Sequence, residues 1–178
     1  MYTQQRKLSC WPSCIIILMQ YFGYKKIPTE KSLRRKCWVN TYTGTLPRRF
    51  KTVATKELQN MNVHYSCHTT KEQLSEHLRE NPAMVLHMVD RNMSPHCADV
   101  DIKNQDPYGL HYAVATGIQS NVVTIHNPFG YIEEIDIDEL RERMSFDNQY
   151  VSWQEKVLLA LGMIRKHTVF FVKKRKVR

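Results

Sequence analysis

Long apolar runs are missing from this chain. None approaches the roughly 20 residues that a membrane span needs, and Ile15–Met19 is walled by Pro12 and Gln20. No signal-peptide core with a small-residue cleavage site follows the opening residues Met1–Lys7. The cysteines number five, an odd count with no export signal ahead of them, which argues against a disulfide framework. Together these absences read as a cytosolic protein with reduced thiols and no membrane span. Acidic side chains are the scarcer charge: 17 Asp and Glu stand against 26 Lys and Arg, a net charge of +9. That balance favours an acidic partner or simply keeps the protein soluble. Repeats, low-complexity tracts and any obvious domain boundary are also missing. The 178 residues, 42% hydrophobic and 24% charged, suit one globular domain over residues 1–178.

The pattern that is present predicts helices first and strands later. A buried helix runs on from Cys10 through Ile15, Leu18, Met19 and Phe22, with Gly23 placed to end it. The three consecutive isoleucines leave a strand open as the alternative. Thr29 caps a short helix over residues 30–37, and Leu46-Pro47 starts a third helix bearing Phe50, Val53, Ala54 and Leu58. Val63–Cys67 is a short strand. Thr70 and Gln73 form a capping box ahead of a helix with Leu74 and Leu78 on one face. Ala83–Val89 has the length and apolarity of a central strand. Leu110–Ile118 and Val122–His126 form a hairpin across Gln119-Ser120-Asn121. Asp136 and Glu139 cap a helix with Leu140 and Met144, a further helix covers residues 153–164, and a last strand covers residues 168–172. The tail 173–178 is basic. This order argues for an α+β fold, N-terminal helices packed on a mostly antiparallel sheet.

Chemistry concentrates at Ser9-Cys10-Trp11-Pro12-Ser13-Cys14. Pro12 suits the first helical turn, where its missing N–H costs nothing. Cys10 then stands at a helix N-terminus, where free N–H groups favour a thiolate, and so a nucleophile. Cys14, a turn further in, should be buried. The bland alternative is that Cys10 is a small buried hydrophobe. A thiol nucleophile needs a base, and the base an orienter. His111 opens a strand, and Asn127 ends its partner. If Gln119–Asn121 is a three-residue turn, Ala113 opposes Asn127, and His111 and Asn127 become diagonal neighbours about 7 Å apart on one face. A one-residue change in the turn would place them on opposite faces.

These residues resemble the papain-like cysteine peptidases that process double-glycine bacteriocin leaders, and their stand-alone relatives. Gln4 lies six positions ahead of Cys10, the helix ends in Tyr21-Phe22-Gly23, and His111 leads a strand reading HYAVATGI. Asn127-Pro128-Phe129-Gly130 follows where the family usually places Asp-Pro, and Thr43-Gly44-Thr45 precedes a helix. The likeness spans residues 4–135. It implies a papain-like fold and a protein or peptide substrate, and it calls for no cofactor and no metal. It also implies roles: Cys10 as nucleophile, His111 as general base and acid, Asn127 as orienter, and Gln4 as donor to the oxyanion. The chain departs from the pattern in having Ser9-Cys10-Trp11 where the family has Asp-Cys-Gly, and Gln5 is an alternative to Gln4.

Three other readings compete. Acyl transfer to an amine, or binding alone, would use the same site. Zinc could be held by Cys10 and Cys14, or by His64, Cys67 and His68, but His64 and His68 align only on a helix and their surroundings read as strand and turn, while His87, His96 and Cys97 lack a recognised ligand spacing. Nucleic-acid binding would use the clusters Arg34-Arg35-Lys36, Arg48-Arg49 and Lys173–Lys176, none of which sits in a binding motif. Finally, residues 90–109 form a long loop with Asp90, Asp99, Asp101 and Asp106 against Arg91 and Lys103. It runs directly into His111 and is expected to act as a lid or specificity element.

Overall fold

The computed structural model describes residues 2–5, 9–39, 47–90, 108–146 and 152–175, without the side chains at positions 48, 90 and 108. The centre of the proposed lid, the Thr43–Thr45 turn and the end of the basic tail lie outside the described residues.

The elements are α1 (Cys10–Tyr21), α2 (Glu30–Cys37), α3 (Pro47–Glu57), β1 (Met61–Ser66), α4 (Lys71–Leu78), β2 (Ala83–Asp90), β3 (Tyr108–Gln119), β4 (Val122–Asn127), β5 (Tyr131–Asp136), α5 (Ile137–Ser145), α6 (Trp153–Ala160) and β6 (Val169–Lys174). The strands make one six-stranded sheet in the order β1-β6-β2-β3-β4-β5, and every neighbouring pair is antiparallel. The α+β expectation is met, with an addition. Helices α1–α3 bury Ile15, Leu18, Leu33 and Phe50 on one face of the sheet. On the other face α4 and α5 bury Leu74, Leu78, Leu140 and Met144.

The ambiguity of the isoleucine run is settled by burial. Every residue from Trp11 to Met19 is buried. An isoleucine costs less than about 0.7 kcal/mol in a helix by intrinsic propensity, whereas burying it returns about 1.5–3 kcal/mol. A helix apolar on all sides belongs inside the protein. Gly23 follows its end at φ 72°, a conformation glycine adopts without strain. The caps read from sequence also hold. Thr29 Oγ1 accepts from the Ser32 N–H at 3.3 Å, and Thr70 and Gln73 close their box in both directions.

Four features differ from expectation. β5 has no counterpart in the sequence reading, and α6 stops at Ala160, four residues short of its expected end. Asp136 caps α5 by accepting from the Asp138 N–H at 2.8 Å, but Glu139 instead bonds Arg143 at 2.7 Å. The hairpin turn is two residues, not three: Gln119 pairs with Val122, and Ser120 takes φ 51°. Run on unbroken, that register would oppose Asn127 to Val114, on the wrong face. A bulge between Ala115 and Gly117 inserts Thr116 and shifts the ladder, so that Val114 pairs with His126. Ala113 then comes opposite Asn127, as the different turn length would have had it. No helix among the described residues is long and apolar enough to cross a membrane.

Candidate active site

Cys10 is the first residue of α1, directly after the N-cap Ser9. α1 packs against β3 and straddles one residue of it, Tyr112. The Tyr112 N–H faces the Cys10 sulfur, and one helical turn on, Cys14 Sγ donates to the Tyr112 carbonyl at 3.3 Å. The helix N-terminus and the start of β3 thus meet at Cys10 and the Tyr112 backbone, and Tyr112 is the immediate chain neighbour of His111.

Asn127 is fully buried and held at three points. Its Oδ1 lies 2.9 Å from His111 Nε2 and accepts from the Phe129 N–H at 3.0 Å. Its Nδ2 donates to Tyr131 Oη at 2.9 Å. The Phe129 N–H can only donate, so the amide oxygen must face it, and the same oxygen then faces His111. His111 must therefore carry its proton on Nε2, which leaves Nδ1 as a lone-pair acceptor. The Phe129 ring lies against the imidazole, with centroids 4.1 Å apart. Only its place two residues after Asn127 hinted at this in the sequence.

Gln4 is buried while Thr3 and Gln5 on either side are exposed. That alternation selects Gln4 over Gln5 as the inward glutamine. The Gln4 N–H donates to the Pro128 carbonyl at 2.7 Å, tying the N-terminal segment to the turn that follows Asn127. Gly130 in that turn sits at φ +99°, and a Cβ there would meet Thr3 Oγ1 at 2.5 Å. On its other side the segment is held by Glu30, the first residue of α2. The buried Glu30 carboxylate accepts from Tyr2 Oη and from the Gln5 N–H, both at 2.7 Å. In the sequence Glu30 read only as a first-turn acid, because Gln5 and Tyr2 lie 25 and 28 residues away.

Glu155 makes a similar clamp at the start of β3. One carboxylate oxygen accepts from the Leu110 N–H at 3.1 Å and the other from Ser152 at the N-cap of α6. Its charge also bears on Cys10. His87, directly opposite His111 on β2, is a second buried imidazole. Its ring centroid is 6.2 Å from that of His111, and burial pulls its pKa down to about 3. His64 is exposed on β1, His68 sits at φ 74°, and no group of three His, Cys, Asp or Glu among the described residues is placed to hold a metal.

The electrostatics correct one expectation. The N–H groups of Tyr112, Trp11 and Cys10 itself lower the thiol pKa, but burial outweighs them and pushes it up to about 11. Burial likewise pulls His111 down to about 4, against the opposing effect of Asn127. At neutral pH the resting pair is thus a thiol and a neutral imidazole. Burial also holds the Cys14 thiol well above the ordinary thiol range, and Cys14 is fully buried where Cys10 is only partly so. Iodoacetamide should therefore alkylate Cys10 ahead of Cys14, at a rate rising about tenfold per pH unit from pH 7 to 10. A plateau in that range, or faster labelling of Cys14 by peptide mass, would contradict this charge state.

A family model described as the Peptidase_C39 like family matches residues 1–157. Among curated proteins nothing matches. Solved structures are similar across almost the whole chain. A double glycine motif protease from an AMS/PCAT transporter, in complex with the leader peptide, has a TM-score of 0.61 at 14% identity, covering 98% of this chain and 91% of that one. The peptidase domain of Streptococcus ComA, a bifunctional ABC transporter of a quorum-sensing pathway, gives 0.60 at 15% identity, with 98% and 97% covered. A putative C39-like peptidase from Bacillus anthracis gives 0.56 at 14%, with 99% and 96% covered. Trp11 stands where the family has glycine, yet its indole points away from the site into the aromatic core around Tyr112, Phe50 and Phe170. The papain-like α+β fold and the match over residues 1–157 establish that this chain belongs to the Peptidase_C39-like family of cysteine peptidase hydrolases.

Proposed function

We propose that the protein cleaves a peptide or isopeptide bond through an acyl-enzyme on Cys10, with His111 as base and acid, Asn127 as orienter and Gln4 in the oxyanion hole. One observation carries this reading: the His111–Asn127 bond lies one residue from the Tyr112 N–H that faces the Cys10 sulfur. Substrate enters with thiol and imidazole both neutral. As sulfur attacks the carbonyl carbon, the thiol proton passes to His111 Nδ1. The carbonyl oxygen takes up negative charge against the Gln4 side-chain amide and the Cys10 N–H. The imidazolium, held by Asn127 Oδ1, gives its proton to the departing amine, which leaves a thioester. Water, deprotonated by His111, attacks that thioester, and the thiol regains its proton as the acid departs.

The test is a fluorogenic peptide ending in Gly-Gly, chosen because a similar double glycine motif protease was solved with its leader peptide. Acid quenching during turnover should leave an acyl mass on the peptide bearing Cys10. Turnover without that adduct, or an adduct on another cysteine, would overturn the assignment. The pH profile supplies a second check. His111 must be unprotonated to act, so kcat/KM should fall as pH drops through about 4. Asn127→Asp puts a carboxylate beside the imidazole and favours its charged form, moving that acid limb up by about one unit or more. A limb that stays in place would show that residue 127 does not bear on the base.

A further inference from the structure

The positive charge of this protein is not spread over its surface. It falls in two stretches: residues 25–57 carry ten lysines and arginines against two glutamates, a net +8, and residues 165–178 carry seven with no acid, while the rest of the chain is net acidic. One of those glutamates, Glu30, is buried among the N-terminal segment's donors, and the other, Glu57, is paired with Lys36 at 2.8 Å. Lys31 and Arg35, one turn apart on α2, and Lys51 on α3 are exposed. Helix-dipole compensation accounts for part of this, since Arg34, Arg35 and Lys36 sit in the last turn of α2. It does not account for Lys25, Lys26, Lys31 or Lys51. Solubility alone needs no such concentration, which instead makes a single-signed field over one layer of the fold.

That layer is continuous with the candidate site. Arg34 Nη1 donates to the Ser9 hydroxyl, next to Cys10. α3 is locked to α2 by Arg49, whose Nε donates to the Lys36 carbonyl at 2.9 Å. The Arg49 guanidinium lies 3.7 Å from the centre of the Trp38 ring. One face of Trp38, the most exposed aromatic among the described residues at 71%, is thus already occupied, which argues against a base-stacking platform.

We propose that the α2–α3 layer is a docking surface for an acidic stretch of the peptide substrate, lying outside the segment that reaches Cys10. The proposal rests on the peptidase reading for the class of ligand but not for the existence of the surface.

Two measurements separate those dependences. The first is fluorescence anisotropy of a labelled peptide carrying six glutamates, with a serine-substituted peptide as reference. The expected result is binding about tenfold or more tighter than the reference at low salt, falling to within about twofold at 0.5 M salt. The triple variant Lys31→Glu, Arg35→Glu, Lys51→Glu should lose the preference. If that variant does not fold, Lys25→Glu with Lys26→Glu, in the loop before α2, should halve it or more. The second uses the same two peptides with a terminal bromoacetyl group. The Cys10 sulfur displaces bromide and the thiol proton passes to solvent. Alkylation of Cys10 should be about tenfold faster with the acidic peptide, through its raised local concentration. Equal binding of the two peptides, or unchanged preference in the charge variants, overturns the proposal. So does stronger, variant-sensitive binding of an oligonucleotide of equal charge or of anionic vesicles. Tight acidic-peptide binding with Cys10 inert to both reagents would sustain the surface and sink the proposed chemistry.

Discussion

Cys10→Ser is expected to lower kcat/KM on a peptide substrate by a factor of about 10³ or more, with a melting temperature within about two degrees of the parent. The change is one atom, and the Tyr112 N–H that faces the sulfur can face a hydroxyl equally well. The loss comes from proton energetics. His111 is a weak base, its pKa pulled down to about 4, and must take a proton from a group held at about 11. Exchanging thiol for alcohol widens that gap by several more units, and each unit costs about 1.4 kcal/mol of barrier. Steady-state kinetics beside calorimetry separates the two effects. Activity retained within tenfold would mean that Cys10 is not the nucleophile.

Trp11→Gly, which would restore the residue usual for the family, should have the opposite profile. The indole is buried with ring centroids 3.6 Å from Tyr112, 4.1 Å from Phe50 and 5.2 Å from Phe170. Phe170 in turn touches Phe50 and Tyr65, so one deletion opens a hole in a cluster that joins α1, α3, β1, β3 and β6. Emptying a buried tryptophan site costs about 3–5 kcal/mol, and glycine inside a helix adds up to about 1 kcal/mol. For a chain of this size the melting temperature should fall by about 10–20 °C. Activity per folded molecule in the cold should keep its order of magnitude, because the indole points away from the site. A stability loss below about 1 kcal/mol would show that the aromatic cluster closes over the gap.

The parts of this molecule legible in its sequence are those fixed by local chemistry. Thr29, Thr70 with Gln73, and Gly23 mark helix ends through bonds to residues three or four away. The pairing of His111 with Asn127 was legible because both lie on one hairpin. β5 escaped because it is an edge strand with only Ile135 fully buried, so its charges hide the alternation. β6 is last in the chain yet lies between β1 and β2, a placement that no local pattern encodes. The role of Glu30 depends on Tyr2 and Gln5, which meet it only after folding. The thiol's charge state was misread because burial, a property of the whole fold, overrides the helix terminus, which is local.

The Thr116 bulge has a consequence for how this hairpin can change. Strand registers obey parity: each insertion or deletion of one residue turns the whole preceding stretch over. The two-residue turn and the single extra residue in β3 cancel, and only their sum brings His111 to the Asn127 side. Lengthening the turn by one residue, or excising Thr116, leaves an even total of turn and bulge residues and should part the two side chains, while either change made together with the other restores the odd total and leaves them joined. The loop sequence is therefore free to drift, but only in compensated steps, so chains of this hairpin type should be compared by counting turn and bulge together.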